Sequence, residues 1–244
     1  MAELSSDQKF ALIQETQTSV FLIHEGLLAL NRLSGANDFY HGPLGLLAQG
    51  FERLMKVVIC LGQLETKGTL PTSREMKKYG HNLIALADAI VDFSERTGYA
   101  DSRPAARLDI DFTTSDGQLR ELLAVLTDLG EWGRYYNLDT LLNRTEHVAA
   151  RDDPAASFQR IERRILDQHP EWIPKMKGRG FDDVYSGVKA ELITTLQRFA
   201  RALCRMFTLD PLGDRGRRLQ PVIRVFLFLG DGDLHTVPRR WFDP

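Results

Sequence analysis

Cysteine is nearly absent. Cys60 and Cys204 are the only two in 244 residues, too few for a disulfide framework, and neither belongs to a Cys-x-x-Cys or Cys/His pattern of a zinc site. Each sits in an apolar, helix-like stretch (VVICLG and RALCRMF), which predicts buried, reduced thiols. Net charge is nearly absent too. Thirty-one Lys and Arg stand against 33 Asp and Glu, a balance of −2, so no global field points to nucleic acid or an anionic membrane. Long apolar runs are missing. VFLI and VVICLG are interrupted by His, Glu or Lys, far short of the roughly 18 apolar residues of a membrane span. The opening MAELSSDQKF has no basic start followed by an apolar run, which predicts no secretory leader and a cytoplasmic protein. No GxSxG, P-loop or dinucleotide-binding pattern occurs. No histidine has a His or Glu companion four residues away that would spell a metal helix. Neither a metal nor another cofactor is expected.

What is present reads as helix. The chain is long enough to bury a sizeable core, and 43% hydrophobic with 26% charged residues is ordinary for a globular protein. Ser5-Ser6-Asp7 predicts the cap of a first helix to about Leu33, with Val20, Ile23, Leu27 and Leu30 at helical spacing. A second begins near Pro43. Its Phe51, Leu54, Met55, Val58 and Ile59 make an apolar stripe, and Glu52 and Lys56 pair at i, i+4 on the polar side. Residues 66–80 read as a polar connection with one helical turn. A third helix covers about 81–96, residues 98–115 read as a long loop, and a fourth helix runs from about Ser115 to Arg144. Further helices are expected over about 155–168 and 182–207, and DPLGDRGRR reads as a loop. The character then changes: Val222 to Phe228 is β-branched and aromatic, and Asp231-Gly232 signals a tight turn, which together predict a terminal β-hairpin.

The residues that stand out chemically lie in GEWGRYYNLDTLL, residues 130–142. On a continuous helix of about 3.6 residues per turn, Arg134 and Asn137 share the apolar face of Leu119, Leu123 and Leu126. An arginine facing a core needs partners for five donors. Two readings stay open: a buried polar knot, with Tyr135, Tyr136 and Asn137 as its neighbours, or a site for phosphate or RNA. His81, opening the third helix, has a capping, packing or binding role. Three arginine groups (Arg160, Arg163, Arg164; Arg215, Arg217, Arg218; Arg239, Arg240) read as solvated faces that would bind phosphate only if they converged.

Three of these stretches resemble a HEPN-type domain, the all-helical superfamily of many prokaryotic toxins and defence proteins. Phe51-Glu52 through Ile59 (FERLMKVVI) resembles its Glu-x-x-x-Lys helix, Tyr79 to Leu86 (YGHNLIAL) its Gly-His-Asp-Leu helix start, and Gly133 to Asp139 (GRYYNLD) its late-helix arginine. Active ribonucleases of that family carry Arg, four to six residues, then His. Arg134 matches the arginine, and Asp139 stands where the histidine would be. The resemblance implies a binding or regulatory module, with RNA or a nucleotide as ligand in a defence or toxin-antitoxin setting, and a homodimer through the bundle. The candidate ligand-binding residues are Arg134, Tyr135, Tyr136, Asn137, Asp139 and His81. The alternatives are a divergent metal-independent endoribonuclease, with Asp139 or His81 carrying the proton, and a structural protein whose terminal hairpin pairs with a partner strand. The expected architecture is mostly α: a HEPN-like antiparallel four-helix bundle over 1–150, then a helical extension over 151–244 ending in the β-hairpin.

Overall fold

The computed structural model describes residues 3–34, 39–142, 153–176 and 180–237. Ser5 starts the first helix, α1 (Ser6–Asn31). Its hydroxyl accepts from the Gln8 amide at 3.2 Å while its own amide donates to the Gln8 side chain at 2.9 Å, so two otherwise orphaned donors are satisfied reciprocally. The second helix is α2 (His41–Lys67). It runs antiparallel to α1, since Gly26 packs on Leu47, Gly50 on Ser19 and Ile23, and Arg53 bonds Glu15. The approach is close. A Cβ on Gly50 would lie 2.8 Å from the Ile23 nitrogen and 3.0 Å from the Ser19 carbonyl oxygen. The predicted stripes of both helices meet here: Val20, Ile23, Leu27, Phe51, Leu54 and Met55 are fully enclosed.

A short α3 (Ser73–Lys77) interrupts the polar connection, and α4 (Leu83–Arg96) follows. Residues 98–115 are not the expected loop. They form α5 (Tyr99–Ser102) and α6 (Pro104–Ser115). Pro104 suits a first turn, and Ala106, Ile110 and Phe112 are buried. The polar run at its end hides a helix because Thr113, Thr114 and Ser115 donate their hydroxyls back to the Asp109, Ile110 and Asp111 carbonyls. Asp116, not Ser115, then caps α7 (Gly117–Glu131).

The fourth helix does not continue to Arg144. It stops at Trp132, whose φ is −144°, and resumes through a 3-10 turn, Gly133–Tyr135, into α8 (Tyr136–Leu141). The cause is tertiary. A Cβ on Gly133 would lie 2.4 Å from the Pro154 ring, so the chain passes the start of α9 (Pro154–Gln168) at near-backbone distance. Residues 143–152, including Arg144 and His147, lie outside the described residues.

Helix α9 packs on α7 and on α10 (Gly180–Met206) through Phe158, Ile161 and Ile165. Among these apolar side chains it buries Glu162, which accepts the hydroxyls of Tyr40 and Tyr185, each at 3.0 Å. Helix α10 itself packs on α1, α2, α6 and α7. The Phe199 ring lies 5.3 Å from that of Phe51. Lys189 donates to the Asn31 and Leu33 carbonyls at 2.8 and 2.6 Å, filling acceptors at the end of α1. One hydrophobic core thus includes side chains from both sides of residue 150.

The C-terminal β-hairpin is overturned. The fold is mostly α, with no strand among the described residues. DPLGDRGRR contains the turn of helix α11 (Gly213–Arg217), and Val222–Leu227 belongs to α12 (Gln220–Leu227). A short apolar run satisfies a helical period as readily as a strand, and here Pro221 opens the helix while Leu219, Ile223 and Phe226 turn inward. Asp231-Gly232 makes a 3-10 turn instead of a hairpin bend. Helix α10 fixes this tail. Arg201 donates to the Leu229 carbonyl and Asp231, and Gln197 brackets Thr236 and His235 by hydrogen bonds of 2.9 and 2.7 Å. A partner strand therefore has no strand to join there; residues 238–244 lie outside the described set. No helix among the described residues is long and apolar enough to cross a membrane.

Two outcomes are expected. Gly50→Ala should destabilise by about 1–3 kcal/mol through overpacking, although alanine is the better helix former; an unchanged or raised urea midpoint would contradict the close approach. Burial raises the Glu162 pKa more than the tyrosine hydrogen bonds lower it. Its contribution to stability is therefore present below the ordinary carboxylate pKa of about 4.3 and declines as pH rises through the raised value. Glu162→Gln should leave stability at pH 4 nearly unchanged and raise it at pH 8, read from thermal unfolding at both values.

Candidate functional site

One cleft lies where the first half of α2 faces the start of α4 and the end of α7. It has a volume of about 460 Å³ and is lined by His41, Gln49, Glu52, Arg53, His81 and Gly130, with Phe39 at its rim. Its floor is helical by sequence. Gly42, Gly45 and Gln49 recur along one face of α2, and the first two carry no side chain to fill the space.

Two motifs from separate stretches meet in it. Glu52 accepts Lys56 Nζ at 2.6 Å through one oxygen and lies 2.8 Å from His81 Nδ1 through the other. Lys56 also donates to the Gly80 carbonyl at 2.8 Å, which ties the residue before His81 to α2. Burial pushes the Glu52 carboxyl upward, but the hydrogen bonds from His81 and Lys56, with the Lys56 charge, outweigh it and hold the group below the ordinary carboxylate range. An ionised Glu52 places the Nδ1 proton between the two groups, leaving Nε2 as the nitrogen for a ligand. The ring is open to solvent, with 44% of the His81 side chain exposed.

The position of His81 is set by neighbours on both sides. Asn82 caps α4 by accepting the Ala85 amide, and the buried Leu83 amide donates to Thr127 Oγ1 of α7 at 2.9 Å. His81 also lies against Gly130. Arg53 donates to both oxygens of Glu15 at 2.9 Å. Both partners are over 40% exposed, so this pair holds Arg53 weakly. His41 Nε2 is buried and has no hydrogen-bond partner among the described residues.

The candidate residues from the sequence separate into two groups. His81 is in the cleft, joined to the Glu52–Lys56 pair. Arg134 has its backbone in the 3-10 turn beyond Gly130, and its side chain lies outside the described set. Tyr135 and Asn137 are exposed, while Tyr136 and Asp139 are half-buried. Tyr136 rests on Trp132, ring centroids 6.0 Å apart. Because α7 breaks at Trp132, Asn137 does not follow the Leu119–Leu126 face into the core. His41, Gln49 and Arg53 were missed. The signal was available as small and polar residues along one α2 face, but without a partner element it reads as a solvated stripe.

The two arginine groups among the described residues do not converge in one cavity. Arg163 lines a cavity with Tyr40, Glu162 and Tyr185, and Arg164 pairs with Glu121. Arg215, Arg217 and Arg218 line a groove beside Lys9, with Arg217 paired to Asp210 and Asp214. Arg239 and Arg240 lie outside the described residues. Both cysteines are free; burial lifts the Cys60 thiol to about 11, so it stays protonated at neutral pH. Among the described residues, no three His, Cys, Asp or Glu side chains are placed to hold a metal ion.

Glu52 supplies a test by pH. Its lowered pKa gives stability that is present above the ordinary value of about 4.3 and lost as pH falls through the folded value. Glu52→Gln should lower the unfolding midpoint at pH 7 and flatten its fall on acidification. An equal loss at every pH would mean that the carboxylate is not held by its two partners.

Compared with protein-family models, curated proteins and solved structures, the chain matches none.

Proposed function

We propose that the chain is a HEPN-like binding module that takes RNA or a nucleotide in the cleft between α2, α4 and α7. The observation that carries this is a cleft with His81 and Arg53 at one end and His41 and Gln49 along α2, whose lining carboxylate, Glu52, has both oxygens already engaged by Lys56 and His81. Glu52 therefore does not repel an anion as a free carboxylate would, and the donors left over point to phosphate.

Labelled single-stranded RNA titrated with the protein tests it. Binding should weaken with salt, by a slope near −0.7 per phosphate contacted. His81→Ala and Arg53→Ala should each weaken it at least about tenfold, the lower end for hydrogen bonds to a charged group of ~1.5–3 kcal/mol. Absence of binding by the wild type at low salt sinks the proposal.

A second reading is favoured by one distance, the 2.8 Å between His81 Nδ1 and Glu52. A histidine oriented by a carboxylate is a general acid–base arrangement, which makes His81, rather than Asp139, the proton carrier of a metal-independent ribonuclease. Labelled RNA cleaved by the wild type and spared by His81→Ala would support it; intact RNA with both proteins would eliminate it.

A further inference from the structure

Phe39 precedes α2 at the rim of the same cleft, and it is 67% exposed. Its ring is supported on one side. It tilts against the His41 ring, centroids 6.1 Å apart at 35°, and two of its atoms lie 3.7 Å from where a Cβ on Gly42 would stand. Glycine at 42 keeps that support shallow, and the rest of the ring faces solvent. His41 Nε2 is buried without a hydrogen-bond partner among the described residues. From His41 the lining continues along α2 through Gln49 to Glu52 and Arg53, where His81 closes the far end. At a rise of about 1.5 Å per residue this row is roughly 18 Å long, more than one nucleotide occupies.

Resting on the reading of the cleft as an RNA or nucleotide site, we propose that Phe39 is a stacking platform for an unpaired base and that the ligand is single-stranded RNA laid along α2. Aromatic rings beside cationic groups are the common way proteins hold single strands, because every base has a face to stack and none need be read by its edge. A base pair inside a duplex is stacked on both sides and has no face to offer Phe39; only the two terminal pairs expose one. The site thus selects for unpaired RNA over duplex with little preference for base identity, and an oligonucleotide gains contacts that a mononucleotide lacks.

The test uses the full chain with a twelve-nucleotide oligoadenylate, a twelve-base-pair RNA duplex and AMP. The oligoadenylate should bind more tightly than either of the others. Phe39→Ala should weaken oligoadenylate binding at least ~5-fold, the lower end for loss of one stacked base, and leave duplex binding unchanged. Phe39→Trp should retain it within about threefold. Because the ring is exposed, the urea midpoint of both variants should match the wild type. Oligoadenylate binding by Phe39→Ala equal to the wild type overturns the platform, as does an equal loss on duplex. If the wild type binds oligoadenylate and His81→Ala weakens it while Phe39→Ala does not, the cleft reading stands and the platform alone fails. If the wild type binds no RNA, both fail.

Discussion

The close approach of α1 and α2 at Gly50 is the constraint on which the rest of the molecule depends. With backbone nearly touching backbone, α2 cannot rotate about its axis without driving a side chain into α1. Its apolar side is thereby committed to the core, where Phe51 meets Phe199 of α10. Its remaining side, bearing His41, Gln49, Glu52 and Arg53, is committed to the cleft. The hydrogen bonds of Glu52 and Lys56 then carry that orientation across to Gly80 and His81. The cleft follows from helix packing, with His81 held in it by the turn before α4.

Two buried or half-buried glutamates show how local chemistry separates identical side chains. Glu52 has a lysine and a histidine within hydrogen-bond distance, and its charge is favoured despite burial. Glu162 has two phenols and no cation among its hydrogen-bond partners, and its charge is disfavoured. Desolvation acts on both in the same direction; the partners decide the outcome. One carboxylate is kept as an anion to orient a ring, and the other serves packing between α9, α10 and the start of α2.

The sequence made some of this legible and concealed the rest for physical reasons. The Ser5 cap and the stripes of α1, α2 and α10 follow from helical periodicity. His81 reads as a candidate from its place at a helix start, whereas the Glu52–Lys56 pair reads only as an i, i+4 pair on a polar face. The terminal run Val222–Phe228 reads as strand because six apolar residues around Arg224 fit two periods, and burial of Ile223 and Phe226 decides for helix. Residues 98–115 were misread because hydroxyl side chains that usually mark loops satisfy themselves on the preceding turn. The break at Trp132 had a hint in Gly133, but its cause is Pro154, which sequence does not place beside it. Phe39, His41 and Gln49 gain meaning only when α4 and α7 stand opposite them.

Helix α10 reaches nearly every part of this arrangement. It covers Phe51, fills the carbonyl acceptors after α1 through Lys189, bonds Asp109 through Arg205 and grips the following tail with Gln197 and Arg201. A chain emerging from the ribosome makes its first residues first. Helices α1 and α2 therefore leave with the Phe51 side uncovered, and it stays so until residue 206 has cleared the exit tunnel. The interval between those events is the time during which a nascent chain of this protein presents its stickiest surface to chaperones and to neighbouring copies on the same message.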